Sequence, residues 1–477
     1  MRASVVRKET MKHLPGDTIA AISTALGPGA VALVRVSGDG AIEIADRVFR
    51  GSRPLAECPT HTVHHGRIVD SSGHEVDEVL ATVMLSPNTY TTEHIIEFGC
   101  HGGPVPARRV LAACLEAGAR QARAGEFTER AFLGGRLDLV QAEAVADIVA
   151  AETPRGLELA LGQLEGGLSG HIAELRATLL SMRAEIEAAI DFPDEVDANE
   201  AVLKLRELSD AAHGQTGRLL ENSEVGAAVR DGVSVALVGK PNVGKSSLMN
   251  ALLMRDRSIV TTAPGTTRDS IEEHLHIDGV PVRLVDTAGW RDSTDEAERA
   301  GVERAQAAAR GAALSLFVVD SSAPADTEDI AVASALEPSA TVIIANKTDL
   351  GSAVSDHELQ SLLLGGSEGD KPAGVSVFRV SALTGAGLDG LRAALADACL
   401  GSAHRENAAV SNVRHAAALR RVSERLSAAD VVLEKGAPHE LVAAELADAT
   451  AALGEITGET TPEEVVQHIF ERFCVGK

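Results

Sequence analysis

Up to about residue 134 the chain alternates short apolar–polar runs, among them VALVRV, HHGRIV and EVLATVML, with turn residues between them. Alternation of period two predicts β-strands, and one helix is expected near Ala107 to Glu116, so residues 1–134 read as an α+β domain. From Leu137 the apolar spacing becomes helical and alanine-rich. LELALGQLEG, HIAELRATLLSMRAEIEAAI and AVLKLRELSDAA carry it to about Ala228, with breaks at Pro154 and at Phe192-Pro193. Between 229 and 401 apolar strands alternate with helices, the signature of a doubly wound α/β arrangement. Helical pattern resumes from about Ala408 to Phe473. Neither helical stretch buries its apolar face alone, so 135–228 and 402–477 are expected to pack as one discontinuous bundle around an inserted domain. The polar, glycine-rich stretch Gly351–Gly374 reads as a surface loop.

Composition sets limits on this picture. At 477 residues the chain exceeds a single core and suggests about three domains. A hydrophobic share of 45% beside 24% charged residues is that of a soluble globular protein. Cys58, Cys100, Cys114, Cys399 and Cys474 are odd in number and scattered, which argues against a disulfide framework or zinc site and for a reducing cytosol. His61, His64, His65 and His101 lack helical ligand spacing and are assigned no metal. No apolar run is long enough to span a bilayer, and the basic Met1–Lys12 segment meets His13-Leu14-Pro15-Gly16 rather than a signal-like apolar stretch. A cytoplasmic location is expected.

The charge balance is acidic, 69 Asp and Glu against 44 Lys and Arg, a net −25. That repels nucleic acid overall, so binding to it requires a local basic patch or a second protein. Arg414–Arg425 is the candidate patch, although the same arginines suit a solvated helix face. Aromatic residues are 2%, so platforms for base stacking are scarce.

The chemistry begins at Gly239–Ser246, GKPNVGKS, with the strand run VSVALV before it and the helix run SSLMNALL after it. This is a complete phosphate-binding loop in its required context. Backbone N–H groups of a glycine-rich turn point at a polyphosphate while the next helix presents its positive end. Asn242, Val243, Gly244, Lys245, Ser246 and Ser247 line that cradle, with Lys245 reaching the β- and γ-phosphates and the Ser246 hydroxyl ligating Mg²⁺.

The base is set by Asn346-Lys347-Thr348-Asp349, after the apolar strand ATVIIA. Asp349 accepts the two hydrogen bonds that only guanine's N1–H and exocyclic amine offer, Asn346 bonds the carbonyl side, and the Lys347 stem covers the ring face. Ser381-Ala382-Leu383 resembles the loop that closes on guanine's oxygen with a backbone N–H. Between these signals lie the switch elements: Thr261, Thr262, Ala263 and Pro264 leading into Gly265-Thr266-Thr267-Arg268-Asp269, then Asp286-Thr287-Ala288-Gly289. Thr267 is placed to bond Mg²⁺ and the γ-phosphate, and Asp286 to hold the metal's water shell. Together these motifs define a Ras-like α/β P-loop G domain that hydrolyses GTP.

Trp290 follows Asp-Thr-Ala-Gly where many small GTPases carry a water-orienting glutamine. An indole cannot accept the water's proton, so the acidic stretch Asp292, Asp295, Glu296, Glu298 is the place to look. Glu298 is the choice for the orienting carboxylate, while a solvated helix start remains the alternative. Asn242 in the loop, with no obvious arginine finger, points to a monovalent cation. Its side-chain oxygen and carbonyls around Thr261, Ala263 and Thr266 suit K⁺ beside the phosphates.

The remaining signature residues are DTIAAIST, VALVRVSG, IIEFGCHGGP at 95–104, RAGEFTERAFLGGRLDLVQAEAVADIV from Arg123, EAAIDFPDE, EITGE and the terminal CVGK. With the G motifs they resemble the tRNA modification GTPase MnmE (TrmE) family over essentially the whole length. The resemblance implies a homodimer, built through the N-terminal domain, that works with the flavoprotein MnmG. Together the two modify carbon 5 of the wobble uridine of certain tRNAs, adding a carboxymethylaminomethyl or aminomethyl group. It also implies a methylene-tetrahydrofolate as one-carbon donor, held around Arg35, Glu97, Arg136 and Lys477. Thr92 stands where the family usually has glycine in Tyr-Thr-Gly-Glu. Cys474, beside Lys477, suits a nucleophile or, more simply, a small residue that seats the tail. A regulatory GTPase that matures ribosomes without modifying RNA shares the G motifs, but accounts for neither CVGK nor the N-terminal domain.

Overall fold

A computed structural model of the chain describes residues 17–192, 198–221, 223–255, 271–286, 310–364, 375–400 and 410–477. They fall into two compact units. One takes the chain up to Ala150 together with Ala160–Arg218 and Ala417–Lys477; the other takes Ala151–Leu159 and Leu219–Ala416.

In the first unit the period-two runs form β1 (Ile19–Ile22), β2 (Val31–Ser37), β3 (Phe49–Gly51), β4 (Thr62–Val69), β5 (Glu75–Met84), β6 (Ile95–His101) and β7 (Arg120–Gln121). They make one sheet in the order β3-β4-β5-β6-β2-β1-β7. Every pairing is antiparallel except that of β1 with β7. Along β2, Val34 and Val36 are fully buried, so alternation puts Arg35 on the opposite face. Helices α1 (Ala41–Val48) and α2 (Pro104–Glu116) cover the core face with Ile44, Ala45, Val48, Val110 and Cys114.

The one helix expected in this region is α2; α1 and α3 (Glu126–Leu133) are additional. Helix α1 is two turns long, and its buried positions 41, 44, 45 and 48 fit inside a window too short to separate a helix from a strand. Helix α3 buries Glu126, Glu129 and Arg130 beside Phe127 and Ala131, so its buried face is not an apolar one.

The alanine-rich stretch becomes α4 (Leu139–Ala150), α5 (Pro154–Leu164), α6 (Gly167–Asp191) and α7 (Ala198–Leu220). Pro154 opens α5 rather than merely ending a helix, as its missing N–H allows in a first turn. Helix α6 buries Leu168, Ile172, Leu175, Leu179, Met182 and Ile186, alternating steps of four and three.

In the second unit α8 (Ser223–Asp231) precedes the sheet, and its Val225 and Val229 lie in the core of that sheet. That sheet comprises β8 (Val233–Val238), β9 (Ile271–Ile277), β10 (Val280–Asp286), β11 (Leu314–Asp320), β12 (Thr341–Asn346) and β13 (Val377–Arg379). Its order is β13-β12-β11-β8-β10-β9, parallel except for β9 with β10. Around it run α9 (Lys245–Arg255), α10 (Thr327–Ala333), α11 (Asp356–Leu364) and α12 (Leu388–Leu400). Helix α11 corrects the reading of Gly351–Gly374 as loop: Leu359 and Leu363, one turn apart, are buried against the sheet, while 365–374 lie outside the described residues.

The chain then returns to the first unit through α13 (Val413–Glu434), α14 (His439–Thr457) and α15 (Glu463–Glu471). Helix α14 packs on α6, and Phe470 and Phe473 close on Leu139 and Ala142 of α4. The five cysteines are unpaired. No described helix is long and apolar enough to cross a membrane, and no group of three or more described His, Cys, Asp or Glu is placed to hold a metal ion.

Candidate functional site

Strand β8 runs into Gly239–Ser246 and α9 starts at Lys245, the strand–loop–helix order a phosphate cradle requires. Gly239 has φ +156°, and a Cβ there would lie 2.3 Å from the Val318 carbonyl oxygen. Gly244 has φ +94°, and its Cβ would lie 2.4 Å from Asn346 Nδ2. Both positions therefore exclude side chains. Asn242 adopts a left-handed φ of +63°, a conformation asparagine tolerates. Val243 is buried and anchors the loop to the core. Lys245 is buried too, and its Nζ donates to the carbonyls of Gly239 at 2.6 Å and Lys240 at 2.9 Å. Ser246 and Ser247 stand exposed in the first turn of α9.

The guanine loops assemble around Asn346, which is 1% exposed at the end of β12. Its Nδ2 donates to Val243 O at 2.9 Å and its Oδ1 accepts from Ala382 N at 3.0 Å. One amide thus ties the phosphate loop to Ser381-Ala382-Leu383, with one hydrogen and one lone pair to spare for a base. Asp349 accepts from Ser381 Oγ at 2.5 Å through Oδ1, while its Oδ2 takes no hydrogen bond among the described residues. Ser381 Oγ also receives Thr384 N at 3.1 Å, so the carboxylate is held at a fixed angle. Lys347 sits at φ +64° and its Nζ donates to Asp320 Oδ2 at 2.7 Å. Burial alone would raise the Asp320 carboxyl; the bonds from Lys347 and Ser322 outweigh it and hold the pKa below its ordinary value. Leu383 is exposed, and Thr348 opens a short 3₁₀ turn.

Strand β10 brings Asp286 into register with Leu237 of β8, beside the strand that feeds the loop. Thr261, Thr262, Ala263, Pro264, Gly265, Thr266, Thr267, Thr287, Ala288, Gly289 and Glu298 lie outside the described residues, as does Trp290.

A second constellation forms in the first unit. Arg35 and Glu97 stand directly opposite each other in the β2–β6 register, and Arg35 Nε donates to Glu97 Oε1 at 2.7 Å. The Arg35 guanidinium lies 5.4 Å from the Phe127 ring centroid and 5.6 Å from that of Tyr90. Arg136 lies 4.9 Å from the Tyr90 centroid and donates to the Tyr90 carbonyl at 3.2 Å. The one tyrosine of the chain therefore serves two cations, at distances where its ring face attracts them. Its hydroxyl bonds Thr128 Oγ1 at 2.9 Å on α3, and burial pushes the phenol pKa up despite that bond and both guanidinium charges.

The segment Cys474–Lys477 docks at the same place. Val475 bridges Ala124, Gly125 N donates to Cys474 O at 3.4 Å, and Phe127 N donates to Lys477 O at 3.2 Å. Arg35 Nη1 reaches Gly476 O at 3.5 Å. Gly476 has φ +98°, and a Cβ on it would lie 2.3 Å from Ile22 O, so no other residue fits. The Cys474 side chain is exposed; its backbone seats the tail. The fold thus gathers Arg35, Glu97, Arg136 and Lys477, and adds Tyr90 and Phe127, which the sequence pattern does not single out. Carboxylate, guanidinium groups and an aromatic wall suit a flat hydrogen-bonding ring with an anionic tail.

Beneath it lies a buried ion network, also not anticipated. Arg130, 3% exposed, donates to Asp17 O at 3.0 Å, Glu93 Oε2 at 3.0 Å and Glu126 Oε1 at 3.2 Å. Arg120 donates to Glu126 at 2.7 Å, and Ser37 Oγ to Glu93 at 2.8 Å. Burial alone would raise the Glu126 carboxyl, but Arg120, the Arg123 amide and the Arg130 charge bring it down to about 2. These bonds clamp the loop carrying Tyr90 to α3 and β2. Within that loop Thr92 holds φ +66°, a left-handed position costly for a β-branched residue. The sequence signal is the i, i+4 spacing of Glu126 and Arg130, indistinguishable from a solvated helix pair without the fold.

The arginine-rich stretch of α13 is not a bare basic surface. Arg421 pairs with Glu455 at 2.5 Å and Arg425 with Glu445 at 3.1 Å, so α14 neutralises both.

A glycine-rich phosphate loop and guanine-selective loops on a doubly wound sheet define a GTPase domain of the P-loop class. Residues 18–136 match the model of the GTP-binding protein TrmE N-terminus, and residues 139–474 that of the MnmE helical domain. Three relatives described as tRNA modification GTPase MnmE match nearly end to end. That of Geobacillus kaustophilus is 44% identical over 467 residues, covering 97% of this chain and 99% of the relative. That of Alkaliphilus oremlandii is 42% identical over 467 residues, with the same coverage. That of Chloroflexus aurantiacus is 45% identical over 464 residues, covering 97% and 100%. The chain belongs to the MnmE family of tRNA modification GTPases.

Proposed function

We propose that this GTPase is the GTP-hydrolysing subunit that works with the flavoprotein MnmG to modify carbon 5 of the wobble uridine of certain tRNAs. The group added is carboxymethylaminomethyl or aminomethyl, and the site is the Arg35–Glu97–Arg136 cluster under the docked Cys474–Lys477 segment. The observation that carries this reading is that cluster's composition. Glu97 retains an oxygen to accept from the amide-like donors of a pterin, Tyr90 and Phe127 supply apolar wall, and Arg35, Arg136 and Lys477 supply cations for a glutamate tail. When bound, a methylene-tetrahydrofolate supplies the one-carbon unit.

In the G domain, Lys245 and Ser246 are assigned to the phosphates and Mg²⁺, with Thr267 completing the metal's sphere. Glu298 is assigned to the attacking water. Asn242, Thr261, Ala263 and Thr266 are assigned to K⁺. The protein acts as a cytoplasmic homodimer, and GTP hydrolysis drives pairing and separation of G domains that open and close the folate-bearing scaffold. A net charge of −25 and the paired arginines of α13 support a tRNA site shared with the partner. Mass spectrometry of tRNA nucleosides tests the reading. Cells lacking the protein are expected to lose the wobble-uridine group, and unchanged nucleosides would overturn it.

A further inference from the structure

Lys240 lies inside the phosphate loop, yet its ammonium is directed elsewhere. Its side chain is 17% exposed, and Nζ donates to Asp326 Oδ2 at 2.6 Å and to Asp329 Oδ2 at 2.8 Å. Those carboxylates form the capping box of α10. Asp326 Oδ1 accepts from the amides of Glu328 at 3.0 Å and Asp329 at 3.1 Å, while Asp329 Oδ2 accepts from Asp326 N at 3.2 Å. Asp329 is fully buried, and its Oδ1 has no hydrogen-bond partner among the described residues. Lys240 is thus the cation that makes a buried carboxylate tolerable.

The other end of the same residue faces the nucleotide site. The Lys240 carbonyl accepts from Lys245 Nζ at 2.9 Å, and the preceding carbonyl, of Gly239, accepts from the same nitrogen at 2.6 Å. Gly239 is pressed against Val318 of β11, the strand that ends just before α10. The first two peptides of the loop are therefore held between a strand behind and an ion pair at the side.

We propose that Lys240 is a positioning residue for GTP binding: clasped by the Asp326–Asp329 capping box of α10, it fixes the carbonyls that orient Lys245. Its removal releases the loop's first peptides and leaves Asp326 and Asp329 without the cation that pairs them. Loss is expected in nucleotide affinity rather than in the chemical step, because the Lys240 ammonium is taken up by Asp326 and Asp329.

The test uses the full-length chain with three substitutions, measuring KM and kcat for GTP and the release rate of a fluorescent GDP analogue. Lys240→Met is expected to raise KM and the release rate about tenfold while kcat changes less than about threefold, the pattern of lost uniform binding. Lys240→Arg, which keeps the charge and reaches both carboxylates, is expected to restore most of the affinity. Asp326→Ala leaves Lys240 one partner and is expected to fall between. A folded Lys240→Met with wild-type KM and release rate overturns the proposal, as does Lys240→Arg behaving no better than Met. Should Lys240→Met fail to fold, Asp326→Ala decides, and wild-type nucleotide affinity in that variant overturns the proposal.

Discussion

Phe127 donates its backbone N–H to the carbonyl of Lys477 at 3.2 Å, which places the tail in the first turn of α3 beside the Arg35 guanidinium. Arg35 also reaches Gly476, so tail and pocket form one structure. Deleting Cys474–Lys477 is expected to lower folate affinity by about tenfold or more, since hydrogen bonds and a cation leave together. GTP turnover by the same variant is expected to stay within about twofold, because the contacts described for the tail, to Ile22, Arg35, Ala124, Gly125 and Phe127, all lie within the first unit. Calorimetric titration with a tetrahydrofolate and a phosphate-release assay measure the two, and unchanged folate binding would sink the pocket assignment. Cys474→Ser, by contrast, keeps every backbone contact and is expected to retain modification.

Thr92 occupies a left-handed turn at φ +66° between Tyr90 and Glu93, and its carbonyl accepts from Ser86 Oγ at 2.7 Å. Thr92→Gly keeps that backbone bond and removes the clash of Cβ with its own carbonyl, worth ~1–2 kcal/mol, against a loss of up to ~1 kcal/mol from a freer unfolded chain. The variant is expected to be slightly more stable, by up to about 1 kcal/mol, in denaturant unfolding followed by circular dichroism. A clear destabilisation would show that the Thr92 side chain holds the loop.

The Glu126 network predicts an acid limb. Its carboxyl titrates near 2 when folded, below the ordinary value of 4.5, so the stability it contributes is complete above about pH 5 and disappears as pH falls toward 2. Glu129 is pushed the other way, by burial, and opposes this only in part. Unfolding free energy is expected to drop with a slope of up to ~1.4 kcal/mol per pH unit for one proton. Glu126→Gln is expected to be less stable at neutral pH and to flatten that limb. An unchanged pH profile would mean that the network does not bear on folding.

Legibility in the sequence follows the range of the interactions. The phosphate loop, Asn346–Asp349 and Ser381–Leu383 are short motifs whose chemistry is fixed by neighbours in sequence, and the fold joins them through one buried amide. The long helices declare themselves by repetition, as α6 does. Arg130 and Glu126 were not legible because an i, i+4 ion pair has the same spacing whether buried or wet. Tyr90 was not legible as a shared partner of Arg35 and Arg136, since that depends on a turn between β5 and β6. Arg35 and Glu97 become neighbours only through strand register, and the resemblance to a family supplied what periodicity did not.

Asn346 carries the join between the two halves of the nucleotide site, so its variants separate donor from acceptor. Asn346→Asp retains an oxygen for Ala382 N but sets a carboxylate against the Val243 carbonyl, where no donor remains. Asn346→Ala loses both bonds without adding charge. A buried acceptor left unpaired costs ~1–3 kcal/mol, and a buried unpaired charge more. GDP affinity is therefore expected to fall by roughly tenfold to a hundredfold in Asn346→Ala and further in Asn346→Asp, read by displacement of a fluorescent analogue. If Asp binds as well as Asn, the amide does not hold the loops together.

Potassium dependence is an expectation from the loop's own charge economy. Lys245 supplies one cation to a triphosphate whose charge spreads over the transferring group in the transition state, and no arginine in the loop adds a second. Asn242 presents a neutral side-chain oxygen from an exposed, left-handed position, the kind of ligand that suits a large monovalent ion better than a proton donor would. A cation seated there stabilises the transition state more than the ground state, because negative charge moves toward the leaving oxygen as the bond breaks. GTP turnover at equal ionic strength is expected to be about tenfold or more faster in KCl than in NaCl, an effect the size of one well-placed electrostatic contact. Asn242→Ala is expected to shrink that ratio toward one while leaving GDP binding nearly intact. Equal rates in the two salts for the unaltered chain would remove the cation from the mechanism and return the problem of transition-state charge to Lys245 and Mg²⁺ alone.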